Sequence, residues 1–429
     1  MSSIEEVASR QLCCGCGMCA ALEPDRYTMI DDIEQGRRPI ASGSADTTGE
    51  ALRACPGIGL RHDPDVLHQE GIISELLPAW GPVLEVWEGH ASDDAIRFAG
   101  SSGGAASALA LSELESARVR GVVHIAQRRD VTYLNETVIS TTRDELLDRT
   151  GSRYAPASPC DSLHRAAETR RQHVFIGKPC DVAALAQAQR ERSDWDELFP
   201  LRIAFFCAGT PSTSGTLELL RRMGVHDPAL LQSLRYRGNG WPGLAHAHFE
   251  KDGKHHESTL TYEQSWGQVL TNHKPWRCNI CPDHTGEFAD VAVGDPWYRT
   301  IEDDEPGRSL ILVRTQRGCE ALRRAIETGH LTAQRADPDI LPRSQQNLLT
   351  VRGAVWGRTL TTRLCGVPTP RYIGLPMLGT WLRKLTLKQK AQSVLGTLRR
   401  LRRKGLLRDR AIVPHEPVVS PARSKGSSS

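Results

Sequence analysis

Nowhere in the 429 residues is there a stretch of about 18 uncharged apolar residues, so no transmembrane helix is expected. The first ten residues, Met-Ser-Ser-Ile-Glu-Glu-Val-Ala-Ser-Arg, hold no apolar core of the kind an export signal carries, and a cytoplasmic location is expected. Neither charge sign dominates. Lys and Arg number 54 against 51 Asp and Glu, and a formal net charge of +3 is too small to signal nucleic acid as a partner. No repeat of fixed period stands out, and no G-x-G-x-x-G fingerprint marks a dinucleotide site. What is left is an ordinary composition, 39% hydrophobic and 24% charged, in a chain long enough for two or three domains with their own cores.

Cysteine, by contrast, is abundant and patterned. In a reducing compartment clustered cysteines read as metal ligands and not as disulfides. Eight of the twelve fall into two sets of four. The first set is Cys13, Cys16 and Cys19 in Cys-Cys-Gly-Cys-Gly-Met-Cys-Ala, completed by Cys55 in Ala-Cys-Pro-Gly. Three cysteines at two-residue gaps with a remote Cys-Pro fit a 4Fe-4S cubane, whereas structural zinc usually takes two CxxC-like knuckles. Cys14 is a spare thiol inside this pattern and is expected not to be a ligand.

The second set is dispersed: Cys180 in Gly-Lys-Pro-Cys, Cys207 in Phe-Phe-Cys-Ala-Gly, and Cys278 and Cys281 in Arg-Cys-Asn-Ile-Cys-Pro-Asp. Cys180 and Cys207 each follow a strand-like run, His173–Gly177 and Leu201–Phe206. Sites in open α/β sheets gather outside the carboxyl ends of strands, so both thiols should emerge on one edge, with the Cys278–Cys281 loop closing over them. On the residues alone a second reading stands beside this one, in which Cys180 and Cys207 are small buried apolar residues. Cys160, Cys319 and Cys365 have no partner at ligand spacing and are expected to be ordinary buried thiols.

Strand-like and helix-like runs alternate from Val83 onward, predicting an α/β fold with a mixed, largely parallel sheet. The expected organisation is a ferredoxin-like module over 1–65, two α/β segments over 80–165 and 166–345, a helical basic extension over 346–410 and a disordered tail over 411–429. Polar, Gly-rich loops lie among the α/β segments, Gly294-Asp295-Pro296-Trp297 and three others. The three are Ser101-Ser102-Gly103-Gly104 before a helix, Gly151-Ser-Arg153-Tyr154, and Tyr236-Arg-Gly-Asn239-Gly-Trp-Pro-Gly. Backbone N–H groups at a helix start can face an anion, though the Ser101–Gly104 loop reads equally as a plain Ser cap, and Arg153 and Arg237 suit bidentate phosphate contact.

Taken in order, these segments resemble the beta-subunit family of coenzyme F420 hydrogenases and dehydrogenases. The resemblance runs through Gly177-Lys178-Pro-Cys, Phe206-Cys-Ala-Gly-Thr-Pro-Ser, Cys278-Asn-Ile-Cys-Pro-Asp and Ala289-Asp-Val-Ala-Val-Gly-Asp-Pro-Trp. The layout is also similar to that of 7-hydroxymethyl chlorophyll a reductase. The resemblance makes the segments 80–165 and 166–345 flavin domains. It implies FAD, bordered by Ser101–Gly104, Arg153, Tyr154, Lys178 and Asn239, beside a 4Fe-4S cluster on Cys180, Cys207, Cys278 and Cys281. Asp181 departs from the Gln of many relatives. Coenzyme F420 becomes one candidate substrate among several.

The expected function is an oxidoreductase that passes electrons from reduced ferredoxin or a partner subunit through two 4Fe-4S clusters to FAD and an organic substrate. The alternative is an electron-transfer subunit of a larger complex. No catalytic acid or base stands out; Asp295 and His256 are titratable and near the motifs. Residues Trp381–Arg410 hold eleven Lys or Arg, one acidic residue and interleaved leucines. That composition predicts a basic amphipathic helix, suited to an anionic membrane surface or an acidic partner.

Overall fold

The computed structural model describes residues 1–42, 49–301 and 305–417. Helices Ile4–Ser9 and Met18–Leu22 open the chain, followed by the hairpin of β1 (Tyr27–Asp32) and β2 (Gly36–Ala41) and by β3 (Gly59–Arg61). Gly17, at φ +87°, starts the second helix where an added Cβ would come within 2.8 Å of Asp161, so only glycine lets this turn press against the body of the protein.

The large sheet takes β4 (Glu85–Ala91), β5 (Gly121–Gln127), β6 (Asn135–Ser140), β7 (His173–Gly177) and β8 (Leu201–Phe205). A separate three-stranded sheet of β9 (Leu231–Arg235), β10 (Ala245–Lys251) and β11 (Lys254–Leu260) intervenes. The chain then returns with β12 (Val291–Gly294), β13 (Ser309–Val313) and β14 (Leu331–Arg335). Strand order is β14-β4-β13-β12-β8-β7-β5-β6. The central four, β12, β8, β7 and β5, run parallel, and antiparallel partners extend both sides. The mixed α/β sheet expected from the sequence is therefore present. The segments 80–165 and 166–345 both feed this one sheet, because β7 pairs with β5.

Period-two alternation divides the sheet's two faces. Val174, Ile203, Val291 and Ile311 pack with helices Ala105–Glu115 and Gln316–Glu327. Phe175, Ala204, Ala292 and Leu310 face helix Pro179–Glu191 and, beyond it, Cys16, Met18 and Leu22 of the N-terminal module. Helix Gln346–Leu364 follows, then β15 (Arg371–Ile373), which pairs in parallel with β3, and helices Leu378–Lys384 and Leu387–Arg403.

Of the tail expected to be disordered, residues 418–429 lie outside the described residues. Its start is anchored on the N-terminal hairpin: Val413 N donates to Asp32 Oδ2 at 2.9 Å and His415 N to Asp31 O at 2.8 Å. No helix among the described residues is long and apolar enough to cross a membrane.

Candidate functional site

Cys13, Cys16, Cys19 and Cys55 line one small enclosed cavity of about 20 Å³, capped by Met18 and Met29. Cys180 is the second residue of helix Pro179–Glu191, just beyond β7, and Cys207 lies two residues past β8, both at strand carboxyl ends. The loop carrying Cys278 and Cys281 is fastened to the end of β8. Cys207 N donates to His284 O at 2.9 Å, and His284 Nδ1 meets Cys207 O at 2.8 Å.

The two sets meet in a second cavity of about 20 Å³, lined by Cys13 and Cys14 from one side, Cys278 from the other, and Arg38, Lys178 and Arg277 between. Cys14, the thiol without a place in the spacing pattern, is the contact between sets. Hydrogen bonds with the thiols of Cys16 and Cys180 hold it well below the usual thiol range. Burial instead pushes Cys55 up to about 12, Cys207 to about 11 and Cys281 to about 12. Such thiols stay protonated at neutral pH, and metal binding to them must release protons. Cys160 is completely buried against Cys16, while Cys319 lies on the opposite face of the sheet and Cys365 at the end of helix Gln346–Leu364.

Several buried donors around these cysteines have no partner among the described residues: Arg38 Nε, Trp276 Nε1, and Arg277 Nε and Nη1. A buried donor left alone costs about 1–3 kcal/mol, and such orphans ask for an explanation.

Beside Cys207 opens a larger cavity of about 120 Å³, walled by the rings of Tyr154, Tyr262, Trp266 and Trp297 and by Lys178. Of the expected flavin contacts, Arg153, Tyr154 and Lys178 line it. Lys178 pairs with Asp181 at 2.7 Å. Burial works against its charge, but Asp181 outweighs that and keeps it protonated. Burial likewise raises Asp181 to about 6, with Lys178 opposing.

The Ser101–Gly104 loop stands one layer back. Ser101 Oγ accepts from Ser152 N at 2.9 Å, and Ser102 Oγ donates to Asp295 Oδ1 at 3.0 Å. Asn239, at φ +58°, is exposed and lies outside the cavity wall.

Arg153 spends its guanidinium on Asn135, Gln127, Leu234 O and Thr132 O. Arg237 forms a fork on Asp295, at 2.9 and 2.5 Å. Neither presents a free fork to a phosphate. Asp295, which also lines the aromatic cavity, accepts in addition from Trp241 Nε1 at 2.7 Å and serves as a structural hub. His256 stacks on Phe249 in the β10–β11 hairpin, away from the cavity.

Two cysteine sets that meet in one small cavity, one of them with Cys180 and Cys207 at the carboxyl ends of parallel strands beside an aromatic cavity, define an α/β protein whose site sits where open sheets place their ligands. The chain belongs to the coenzyme F420 hydrogenase/dehydrogenase beta-subunit family. The family's N-terminal model matches residues 86–164 and its C-terminal model residues 171–339, together more than half of the chain.

The chain is 24% identical over 257 residues to the F420-dependent formate dehydrogenase 1 subunit beta of Methanococcus maripaludis, covering 59% of this chain and 62% of that protein. It therefore spans less than two thirds of that relative. A 51-residue stretch, 11% of the chain, is 43% identical to ferredoxin soy of Streptomyces griseus and covers 77% of it. A chain of the F420-reducing [NiFe] hydrogenase complex from Methanosarcina barkeri, studied by xenon derivatization, shares the fold at a TM-score of 0.51. Sequence identity there is 19%, and the match covers 66% of this chain and 94% of that one.

Proposed function

We propose that the chain is an electron-transfer subunit of a larger redox complex. In this reading Cys13, Cys16, Cys19 and Cys55 hold one 4Fe-4S cluster, and Cys180, Cys207, Cys278 and Cys281 hold another. The observation that carries it is an unbroken series of shared walls. Cysteines of both sets line the junction cavity, Lys178 lines that cavity and the aromatic one, and Cys207 lines the aromatic one. Electrons arriving at the N-terminal set have a buried route to the aromatic cavity.

The residues present fit the clusters. Orphaned N–H groups of Arg38, Trp276 and Arg277 lie beside the thiols, and hydrogen bonds to cluster sulfurs are what such donors satisfy. The clusters would supply one-electron transfer, while the protein supplies placement and a dry, cationic surround. For FAD the fit is partial. Flat aromatic walls suit a planar ring, and the committed guanidiniums of Arg153 and Arg237 do not suit its diphosphate.

The F420-dependent names of the relatives make coenzyme F420 one substrate class for the complex, and reduced ferredoxin or a partner subunit the donor. A second reading, an enzyme with its own organic substrate, is favoured by the aromatic cavity alone. Contact with an anionic membrane belongs to this account through the exposed basic helices described below.

The test is electron transfer from reduced ferredoxin to an artificial dye by the isolated, anaerobically purified chain. Transfer is expected, and it should be lost in Cys16→Ala and in Cys278→Ala. A rate no faster than ferredoxin and dye alone would refute the reading. Turnover of coenzyme F420 or another organic acceptor by the isolated chain would favour the second reading.

A further inference from the structure

We propose that Arg277 is a single cationic bridge that sets the reduction potentials of both clusters together. The inference rests on the two-cluster reading and adds a positioning residue to it. Arg277 sits in the short helix Trp276–Asn279, immediately before Cys278, yet its side chain reaches the other set: Nη2 donates to Pro56 O at 3.0 Å, next to Cys55. It is 2% exposed, its guanidinium lies over the Tyr372 ring at 5.9 Å, and it lines the junction cavity.

Its reach singles it out from the neighbouring cations. Lys178 is paired with Asp181, and Arg38, which also lacks a carboxylate partner among the described residues, donates Nη1 to the Arg37 carbonyl within the N-terminal module and does not span from one set to the other. Arg277 has no carboxylate partner among the described residues, and its Nε and Nη1 are unpartnered. A buried cation without a counter-ion is expensive, so the fold must hold it against something anionic. Its charge acts on Cys13 of the first set and on Cys180 and Cys281 of the second. A cubane held by four thiolates is a net anion, and one guanidinium placed between two of them offsets the charge of both.

Each cluster gains one electron on reduction and becomes more negative. A nearby fixed cation, and N–H donors aimed at sulfur, stabilise that state and raise the potential. Because one side chain serves both sites, its removal should lower both potentials.

The experiment uses full-length, anaerobically purified protein and its Arg277→Gln and Arg277→Lys variants. Iron and acid-labile sulfide are counted, and both clusters are titrated potentiometrically with electron paramagnetic resonance detection. Arg277→Gln should keep its iron and shift both couples toward lower potential, by at least tenfold in the reduction equilibrium, about 59 mV for one electron. Arg277→Lys, which keeps the charge and loses the fork, should shift both by less.

A shift in one couple only, or in neither, overturns the bridge. If Arg277→Gln fails to assemble clusters, loss from both sites together supports the bridge and loss from one site overturns it. Wild-type protein without two clusters would sink the underlying reading, an outcome distinguishable from failure of the bridge.

Discussion

Glu287 is completely buried and meets the Arg352 guanidinium from helix Gln346–Leu364 and the His62 imidazole of the N-terminal segment, whose Nε2 is 3.0 Å away. It lies in the loop that follows Cys281, so this one carboxylate ties three parts of the chain around the second cysteine set. Glu287→Gln leaves Arg352 buried without its counter-charge, and a loss of about 3–5 kcal/mol is expected, read as a lower unfolding midpoint in denaturant. Burial alone would raise the Glu287 pKa, but Arg352 and His62 outweigh it and hold the group at about 2. A depressed carboxylate contributes stability that is intact above its unfolded pKa of about 4.3 and drains as pH falls toward 2. Glu287→Gln should therefore narrow its stability gap to wild type over that acid window, and a gap constant from pH 6 to pH 2.5 would refute the assignment. The thiols yield a second prediction at this scale. If each set holds its own cluster as proposed, Cys16→Ala and Cys281→Ala should each lose about half the iron. Retention of all the iron in either variant would remove that cysteine from the ligand set. The two cysteine sets were legible in the sequence because their spacing is local or follows recognisable strands. Cys14 and Arg277 were not, since their place between the sets exists only once the N-terminal module is seated on the sheet.

Among the elements, helix Leu387–Arg403 departs most from its sequence pattern. Leucines interleaved with basic residues predicted an apolar stripe, yet the buried face is Ser393, Thr397 and Leu401. The reason lies in the facing helix. Gly357 lets the helices approach so closely that a Cβ there would lie 2.3 Å from Ser393 Oγ, and small polar side chains suit that contact. Leu387, Leu395 and Leu398 are left 82%, 57% and 41% exposed, among Lys388, Arg399, Arg402 and Arg403 and with no acidic residue from Leu378 to Arg408. Gly357→Val should overpack this seam and destabilise the protein by about 1–3 kcal/mol, measured as a lowered thermal midpoint. Deleting the helix is a poor probe of membrane binding, because Leu401 and Leu406 pack in the same core as Cys13 and Trp276. Replacing the three exposed leucines by Gln avoids that. Sedimentation with anionic liposomes at low salt should then be lost while the fold persists, and unchanged binding would exclude the helix as a membrane anchor. Strands were read more reliably than this helix, since alternation along β7, β8 and β12 is decided by the sheet itself and needs no knowledge of a partner surface.

Across the whole molecule, the N-terminal module and the C-terminal helices close on the same face of the sheet. β3 pairs with β15, Gln187 Nε2 donates to Ala54 O at 3.0 Å, and Lys404 Nζ donates to Lys274 O at 2.9 Å. This closure buries both cysteine sets against one another and leaves the aromatic cavity on the far side of Cys207. An arrangement of that kind is suited to moving electrons through the interior, and its central claim is the pair of clusters. Iron, acid-labile sulfide and zinc measured together on anaerobically purified protein test that claim most directly. The account predicts about eight irons and a matching amount of sulfide per chain, as two cubanes require. Stoichiometric zinc with little iron or sulfide would contradict it.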